Sequence, residues 1–520
     1  MIFPLSKLGF VATRDSDLRG EPAEMADSKE LSETLPGPGE KLTKTDFKAR
    51  IPGLRVELVN AQYVLREAGF SMIVLLAGPD RIGCEQVVDR LHEWMDGRHL
   101  DTWFAGLATE EERTRPRFWR FWRSMPPDGR IGIFVGAWIS QVIGELLRGQ
   151  IDEKERDRRT RHFNLLDRLL TDDGTVVVKL WLDLPRKAMK KRLKRVEGNH
   201  ALYVEDLDYT ILEHYEAAQP VIQDLLEESG QAVPWTVLDG SDERARDLMV
   251  AETLLRALEQ RFDNPPRPPV PAALEPAHDH LAEVDLTQKL EYAEYRQELE
   301  KLQLRLHKLS LKAREQKQGV VMAFEGWDAA GKGGVIRRIT QAVSARDCKV
   351  IPVAAPSDEE LAHHYLWRFW RRLPRNGQMR IFDRSWYGRV LVERIERLAR
   401  PDEWQRAYDE INDFEAQITE YGQLVLKFWL HVDPDEQLRR FKAREKTDYK
   451  KYKITDEDYR NRDKWPAYTD AVNDMVERTS TDAAPWHLVA ANDKRSARVE
   501  VLTIVCEALE KALKKKSRKK

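Results

Sequence analysis

The sequence has little of what marks secreted or membrane proteins. Its 520 residues include three cysteines, Cys84, Cys348 and Cys506, whose spacing fits neither a metal site nor a disulfide framework. The apolar runs, such as residues 72–77, are much shorter than the ~20 residues that a membrane-spanning helix needs. The N-terminus also lacks the order of charged and then apolar residues that a secretory signal has. We therefore expect a cytoplasmic protein without membrane contacts.

The net charge is only −2 at pH 7, although 33% of the residues are charged. This balance argues against a molecule that binds polyanions through its overall charge, and we expect no nucleic-acid partner. Lysine and arginine are nevertheless concentrated in residues 367–375, 439–462 and 514–520. Such clusters focus a positive potential wherever they share a face, although a solvated helix face is the simpler interpretation of the C-terminal cluster.

The chain contains an internal duplication. Residues 119–129 (WRFWRSMPPDG) resemble residues 367–377 (WRFWRRLPRNG), an offset of 367 − 119 = 248. The same offset relates Gly78 to Gly326, Trp138 to Trp386 and Lys179 to Lys427. A constant spacing with rare tryptophans in register is hard to obtain by chance. We therefore predict two similar domains in tandem.

Composition suggests where the domains begin and end. Residues 1–40 mix charge, proline and glycine without periodicity, which predicts a disordered tail. The first copy then occupies residues 41–262 and the second copy residues 281–512. The prolines of residues 263–280 favour an extended linker between them, and residues 513–520 form a basic tail.

Hydrophobic patterns in the second copy alternate between strand and helix. The apolar run at residues 319–324 predicts a buried strand, and residues 334–343 predict a helix. Further elements are a long helix at 286–316 and strands at 379–382, 424–432 and 486–490. This alternation predicts an α/β fold for the two tandem domains, each a parallel sheet with helices on both faces. Ligands of such sheets bind at the carboxyl ends of the strands.

Residues 326–333 (GWDAAGKG) fit the phosphate-loop pattern between a strand and a helix. Glycines allow backbone N–H groups to surround phosphate oxygens, and the helix N-terminus adds partial positive charge. Lys332 would neutralise the transferring phosphoryl group. The predicted phosphate-binding residues of this loop are Gly326, Ala329, Ala330, Gly331, Gly333 and Gly334.

One departure in the loop changes the expected metal site. Gly333 stands where nucleotide-hydrolysing proteins carry a Ser or Thr that binds Mg²⁺. Because Mg²⁺ keeps several waters and needs only one or two carboxylates, we predict Asp328 and Asp383 as its ligands, with Mn²⁺ as an alternative metal. Either aspartate could instead cap a helix or fix a turn.

Basic side chains complete the candidate site. Arg384 follows Asp383 directly, and Arg389 could reach the phosphate of an acceptor, with a surface ion pair as the alternative for each arginine. The basic region between the third and fourth strands predicts a helical lid that closes over phosphates, or else a solvated helix. The predicted phosphate-binding residues of this lid are Arg444, Lys446, Lys450, Lys453, Arg460, Arg462 and Lys464.

The motifs GWDAAGKGG and FDRSWYGR, the basic lid and the duplication together resemble polyphosphate kinase family 2. The resemblance covers both halves and implies two tandem P-loop kinase-like (thymidylate-kinase-like) domains. Such domains transfer phosphate between inorganic polyphosphate and nucleotides with magnesium. The two-domain layout resembles the subgroup of polyphosphate:AMP phosphotransferases, which implies AMP as acceptor and ADP as product. On this resemblance Asp328, Lys332, Asp383 and Arg384 form the catalytic set.

A polyphosphate donor would need an extended track of cations rather than a loop for one triphosphate. The basic phrase at residues 367–375 supplies candidates for this track in addition to the lid. These candidates are Arg368, Arg371 and Arg372.

The first copy has lost most of the catalytic set. By the offset of 248, the exchanges are Cys84 for Lys332, Val135 for Asp383 and Gly136 for Arg384. A nucleophilic Cys84 is disfavoured because no neighbouring base can be assigned to it. We therefore expect the first domain to fold like the second without catalysing.

The residues alone leave several functions open. Besides the AMP phosphotransferase, they allow a polyphosphate-dependent kinase for ADP or GDP, or an ATP-dependent small-molecule kinase. A scaffold that binds polyphosphate or nucleotide without turnover is a third alternative. A homo-oligomer is also left open.

Overall fold

The computed structural model describes residues 42–106, 108–136, 139–197, 206–266, 273–446 and 456–517. The predicted tail at residues 1–40 and the candidate site residues Lys450 and Lys453 lie outside these described residues. None of the described helices is both long enough and apolar enough to cross a membrane.

The first domain is built around a parallel sheet with the strand order β2-β3-β1-β4-β5. Its strands are β1 (Met72–Ala77), β2 (Leu100–Phe104), β3 (Ile131–Val135), β4 (Val176–Asp183) and β5 (Trp235–Asp239). Its helices are α1 (Lys44–Leu65), α2 (Arg81–Trp94), α3 (Glu110–Arg113), α4 (Trp119–Trp122), α5 (Ile139–Leu147), α6 (Glu153–Asp172), α7 (Arg186–Glu197), α8 (Asp206–Glu213), α9 (Tyr215–Glu228) and α10 (Glu243–Asp263), with a 3-10 helix at Gly97–His99.

The second domain repeats this parallel sheet, with the strand order β7-β8-β6-β9-β10. Its strands are β6 (Val320–Gly326), β7 (Cys348–Pro352), β8 (Met379–Asp383), β9 (Leu424–His431) and β10 (Trp486–Ala490). Its helices are α11 (Tyr292–Glu315), α12 (Lys332–Ala342), α13 (Asp358–Leu361), α14 (Trp367–Trp370), α15 (Val392–Ile395), α16 (Pro401–Glu420), α17 (Pro434–Glu445), α18 (Asp456–Asp463), α19 (Trp465–Thr479) and α20 (Lys494–Ser517), with a 3-10 helix at Trp386–Val390. The α/β fold in two tandem copies is therefore confirmed.

A buried ion pair is repeated in both domains. Lys179 on β4 donates a hydrogen bond of 2.6 Å to Asp167, and Lys427 on β9 donates one of 2.7 Å to Glu415. Both lysine side chains are fully buried, and both pairs keep the offset of 248. Because breaking such a pair leaves an uncompensated buried charge, its retention in both copies ties the same two elements together in each domain.

The two domains pack against each other through equivalent faces. Trp122 on α4 stacks on Trp370 on α14, with 5.8 Å between ring centroids and 10° between planes, and 370 − 122 = 248. Two backbone hydrogen bonds of 2.8 Å are exchanged in the same reciprocal way, from Asp128 N–H to the Ala362 carbonyl and from Asn376 N–H to the Thr114 carbonyl. Reciprocal contacts of this kind define a two-fold interface, so the copies pack as the subunits of a symmetric dimer do.

Candidate active site

The glycine loop between β6 and α12 has a backbone shape that few residue types adopt. Gly326 and Gly331 have φ angles of 144° and 115°, and Ala329 has a φ of 61°. A Cβ at Gly326 would lie 2.6 Å from the carbonyl oxygen of Leu430 on the neighbouring strand β9. Glycine is therefore required at residue 326, and the positive φ of Ala329 marks a strained point in the middle of the loop.

Lys332 begins α12 and turns back across the loop. Its Nζ donates a hydrogen bond of 2.5 Å to the carbonyl oxygen of Gly326. Behind it lies Glu325, which is buried and accepts a hydrogen bond of 2.7 Å from Ser385 Oγ. Burial raises the pKa of Glu325, and the charge of Lys332 opposes this rise. Glu325 was not among the site residues predicted from the sequence, although a carboxylate that ends a buried apolar strand beside a phosphate loop is a recognisable signal.

Asp328, Asp383 and Arg384 lie together at the carboxyl end of the sheet. Asp328 Oδ1 is 3.5 Å from Arg384 Nη2, and its Oδ2 accepts a hydrogen bond of 3.1 Å from Asn461 on α18. Arg384 has a φ of 63°, which directs it out of β8 towards the loop. Within the described residues the carboxylate of Asp383 has no hydrogen-bond or ion-pair partner. The structure thus brings the predicted catalytic residues, Asp328, Lys332, Asp383 and Arg384, together at the loop.

A strongly cationic cavity of about 840 Å³ opens beside the loop. Its wall contains two carboxylates, those of Asp328 and Asp383. The cations that face them are Lys332, Arg337, Arg338, Arg384, Arg439, Arg440, Arg444, Lys494 and Arg498. Such an excess of positive charge in a concave site attracts polyanions. Among these cations Lys332, Arg384 and Arg444 were predicted from the sequence. The others were not, because no local motif singles them out: Arg337 and Arg338 lie on α12, Arg439 and Arg440 on α17, and Lys494 and Arg498 on α20.

Arg440 on α17 fixes the shape of the loop. Its Nη1 donates hydrogen bonds to the carbonyl oxygens of Ala329 (3.0 Å) and Ala330 (2.7 Å). Its Nη2 donates to the carbonyl oxygens of Ala491 (2.5 Å) and Asn492 (3.0 Å), which follow β10. The side chain is only 3% exposed. One buried guanidinium therefore ties the lid helix to the strained middle of the phosphate loop.

A second cavity shares Trp327, Asp328, Lys332 and Arg384 with the cationic one. The remaining walls differ in chemistry, because they include the apolar and aromatic side chains of Leu391, Val392, Trp429 and Tyr468. Apolar walls with a few polar groups are typical of sites for small organic ligands such as nucleosides. The two cavities therefore meet at the loop lysine.

The lid elements α17, α18 and α19 lie between β9 and β10, as the sequence predicted. Trp465 at the start of α19 stacks on Trp327 of the loop, with 3.6 Å between centroids and 8° between planes. Trp327 also donates a hydrogen bond of 3.0 Å to His431 Nδ1, and burial lowers the pKa of His431 to about 4, so that the neutral ring accepts it. The stack of Trp465 on Trp327 and the hydrogen bond from Asn461 to Asp328 hold the lid closed on the loop.

The other predicted phosphate ligands of the lid differ in their surroundings. Arg462 donates a hydrogen bond of 2.5 Å to the carbonyl of Pro434, and Lys464 donates one of 2.6 Å to Glu396. Lys446 and Arg460 are exposed to solvent. Of the phosphate ligands that the sequence predicts in the lid and the structure describes, Arg444 alone lines the cationic cavity. A phosphate-binding role for the others stays a prediction.

Four predicted phosphate ligands lie in ion pairs and line neither of the two cavities. The pairs are Arg368 with Glu360 at 3.2 Å, Arg371 with Glu359 at 3.3 Å, Arg372 with Glu360 at 3.5 Å and Arg389 with Glu393 at 3.1 Å. Arg389 therefore lies in an ion pair, which is the alternative that the sequence left open for it. The role of these arginines in phosphate binding also stays a prediction.

The equivalent loop of the first domain is filled by its own arginines. Asp80, the counterpart of Asp328, accepts a hydrogen bond from Arg192 and lies 3.8 Å from Arg246. A Cβ at Gly136 would lie 1.6 Å from the Nη1 of Arg81, so this guanidinium occupies the place beside the strand end. Arginines that bind their own carboxylate are not available to a phosphate. That the first domain does not catalyse stays a prediction.

The fold and the loop together define a kinase-like phosphotransferase. A family model described as polyphosphate kinase 2 (PPK2) matches residues 41–265 and 289–517, one match for each copy. The chain therefore belongs to the polyphosphate kinase 2 family.

Full-length relatives support the same assignment. The chain is 45% identical over 487 residues to a polyphosphate:AMP phosphotransferase of Pseudomonas aeruginosa, which covers 92% of this chain and 98% of the relative. It is 35% identical to a polyphosphate:AMP phosphotransferase of Acinetobacter johnsonii, over 88% of this chain and 95% of that protein. A crystal structure of a polyphosphate kinase 2 from Pseudomonas aeruginosa PA01 superimposes with a TM-score of 0.83 at 43% identity, over 92% of this chain and 98% of that chain.

Proposed function

We propose that the second domain transfers the terminal phosphate of inorganic polyphosphate to AMP and so makes ADP. The observation that carries this proposal is the junction of two unlike cavities at Lys332, Asp328 and Arg384. The cationic cavity suits a polyanionic donor. The second cavity encloses about 90 Å³ with the lid closed, and its apolar and aromatic walls suit the nucleoside of an acceptor that enters as the lid opens. AMP is the acceptor named for relatives that span nearly the whole chain.

The terminal phosphate of the donor binds at the glycine loop. Backbone N–H groups of the loop and the N-terminus of α12 surround its oxygens, and the rest of the chain extends among the arginines of α12, α17 and α20. These cations approach from three different elements, so they can hold consecutive phosphates of one chain. Binding should therefore weaken as salt screens the charges.

The transfer itself needs positioning and charge stabilisation. A phosphate oxygen of AMP attacks the terminal phosphorus of the chain, and the bond from that phosphorus to the bridging oxygen breaks. The electron pair stays with the shortened polyphosphate. Lys332 and Arg384 stabilise the charge on the moving phosphoryl group, and no covalent intermediate with the protein is required.

Asp328 and Asp383 fit the needs of a divalent cation. Both carboxylates face the cationic cavity, and that of Asp383 has no other partner within the described residues. Bound Mg²⁺ would neutralise phosphate charge, and it requires only one or two carboxylates besides its waters. A Cβ at Gly333 would meet no atom within 4 Å, so crowding does not explain the missing Ser or Thr. Asp328 and Asp383 would supply the oxygens that a loop hydroxyl would otherwise provide.

The closed lid keeps water away from the reacting phosphate. Trp465 covers Trp327, and Asn461 holds Asp328 from the side of the lid. Exclusion of water favours transfer to AMP over hydrolysis of the chain and strengthens the interactions of Lys332.

In this proposal residues 281–512 carry the chemistry, and residues 41–262 carry none of it.

The test is an assay of the purified protein with polyphosphate, AMP and Mg²⁺, in which ADP is followed. We expect ADP to form with polyphosphate as donor and AMP as preferred acceptor. The same assay with ATP as donor, and with ADP or GDP as acceptor, covers the alternative kinases. Activity with ATP alone, or binding of polyphosphate without any turnover, would contradict the proposal.

A further inference from the structure

A cavity of about 430 Å³ lies between the two domains, and none of its lining residues belongs to the two cavities at the phosphate loop. The first domain lines most of it, and Gln417, Glu420 and Tyr421 at the end of α16 close it from the second domain. Its wall carries six arginines against three glutamates. The arginines are Arg113, Arg115, Arg117, Arg120, Arg158 and Arg159.

Arg117 is the least satisfied of these cations. Within the described residues its guanidinium makes no hydrogen bond, and its ion-pair partner, Glu145 Oε1, is 4.0 Å away. Glu145 is already engaged by Arg159, whose Nη1 lies 2.5 Å from Glu145 Oε2. Burial and the charge of Arg159 lower the pKa of Arg117 to about 10, which still leaves it charged at neutral pH. A half-buried cation without a close partner is costly unless an anion binds there.

Neighbouring glutamates pair with most of the other cations. Glu155 pairs with Arg158 and Arg159, Glu111 with Arg115, and Glu112 with Arg120. Arg158 Nε is also 3.8 Å from Glu420 Oε2, and His162, whose pKa is lowered by burial, lies 3.2 Å from the same oxygen. Arg113 is exposed, with a hydrogen bond of 2.8 Å to the carbonyl of Ala108 and no ion-pair partner among the described residues. Arg113 and Arg117 therefore keep positive charge for a ligand.

The second domain provides an internal comparison, since the copies pack with two-fold symmetry. The counterparts of Arg117 and His162 are Tyr365 and Glu410, because 365 − 117 = 410 − 162 = 248. Glu410 is buried and accepts a hydrogen bond of 2.9 Å from Arg406. Arg389 covers the ring of Tyr365 at 4.5 Å. On that side an aromatic ring and a carboxylate replace the two basic side chains, so the positive cavity is a feature of the first copy and not of the shared fold.

We propose that the inter-domain cavity is a second binding site, distinct from the catalytic one, for the phosphate groups of an oligophosphate anion. Arg117, Arg113 and Arg158 point to a ligand with several phosphate oxygens, because guanidinium groups bind such oxygens in pairs. The ligand is an inorganic phosphate chain or the phosphates of a nucleotide, which share this chemistry. A ligand there would touch both domains, and the site gives the first domain a role that needs no catalysis.

Calorimetric titration of the full-length protein with tripolyphosphate, without AMP and therefore without turnover, tests the proposal. We expect two sites in the wild type. Arg117→Gln should weaken one of them by about tenfold or more, since it removes a charged hydrogen-bonding partner. Arg117 makes no hydrogen bond to the part of the chain that the structure describes, so thermal unfolding should change little. Arg117→Lys, which keeps the charge, should lose less affinity.

Arg55→Gln is the matched control, because Arg55 is an exposed arginine of the same domain with a single backbone hydrogen bond. Its titration should equal that of the wild type. In the Lys332→Ala protein the Arg117-dependent site should persist, which separates this proposal from the catalytic one. A parallel titration with ADP shows whether the site prefers an inorganic chain or a nucleotide. Unchanged binding of both ligands in Arg117→Gln would overturn the proposal.

Discussion

Two side chains act on the backbone of the phosphate loop from different sides. Lys332 donates to the carbonyl of Gly326, and Arg440 donates to the carbonyls of Ala329 and Ala330. With carbonyl oxygens held outward in this way, the N–H groups of the loop are left for phosphate. The positive φ of Ala329 is maintained by these contacts, because a strained residue persists only where its surroundings fix it.

Arg440→Lys should therefore damage both stability and turnover. Lysine cannot span the four carbonyl oxygens that Arg440 binds, and buried acceptors would lose their donors. We predict a loss of about 3–5 kcal/mol in the free energy of unfolding, measured in urea, and a fall in kcat. The neighbour Arg439 has a side chain that is 68% exposed, so Arg439→Lys should change stability by less than about 0.5 kcal/mol. Equal effects of the two variants would contradict this account.

Lys494 should make polyphosphate binding depend on pH. Burial and the nearby Arg440 lower the pKa of Lys494 to about 8. As the pH rises from about 7 to about 9, Lys494 loses its charge, and KM for polyphosphate should rise roughly threefold to tenfold. Lys494→Arg keeps its charge over this range and should flatten the rise. Identical pH profiles for the two proteins would show that Lys494 does not contact the donor.

At the scale of elements, the lid depends on one aromatic stack. Trp465→Ala removes the ring that covers Trp327, and such pairs contribute about 0.5–1.5 kcal/mol beyond the area they bury. We expect KM for AMP to rise about twofold to tenfold and the release of inorganic phosphate to increase as water enters. Trp465→Phe can still stack on Trp327, so its KM for AMP and its release of inorganic phosphate should stay close to those of the wild type. A variant with unchanged KM and no added hydrolysis would speak against a closed lid.

The sequence predicted some elements well for a physical reason. Strands β6, β8, β9 and β10 were found because their apolar runs are buried on both faces. Strand β7 was missed because exposed Lys349 and Pro352 interrupt its apolar pattern at the edge of the sheet. Helix α11 begins at Tyr292, six residues later than residue 286, because charge alone does not mark a helix start.

The candidate site shows the same limit. The glycine loop, the two aspartates Asp328 and Asp383, and Arg384 were predicted because each lies in a local sequence motif. The arginines of α12 and α20 were not, since only the folded chain brings them to one cavity with α17. Conversely, Arg368, Arg371 and Arg372 were grouped by sequence, but the fold places them beside Glu359 and Glu360. Charge clusters in a sequence do not show where carboxylates lie in space.

At the scale of the whole molecule, the first domain takes the place of a partner subunit. One continuous cluster of buried apolar residues runs through both domains, from Phe163 and Trp122 to Trp370 and Phe414, and a second cluster lies within the first domain. Equivalent faces meet with reciprocal contacts, so the second domain packs against a copy of itself that has lost its loop lysine. Loss of the loop lysine in one copy leaves this packing intact, because the interface and the loop use different residues.

Trp122→Ala should separate the folding of the two domains. Truncation of a buried tryptophan costs about 3–5 kcal/mol, and here the cavity lies in the interface against Trp370. By calorimetry we expect the variant to unfold at a lower temperature and in two transitions where the wild type shows one. Trp122→Phe keeps a ring against Trp370, so its unfolding temperature should fall less. A single unshifted transition in Trp122→Ala would contradict a shared core.

The most direct test of the central claim compares two equivalent positions in one assay. Lys332→Ala removes the cation that faces the moving phosphoryl group, and Cys84→Ala changes the buried residue at the same place in the first domain. With polyphosphate, AMP and Mg²⁺, we predict that Lys332→Ala lowers the rate of ADP formation by about a hundredfold or more while the protein remains folded. Cys84→Ala should keep nearly full activity. If Cys84→Ala is as damaging as Lys332→Ala, the chemistry is not confined to the second domain.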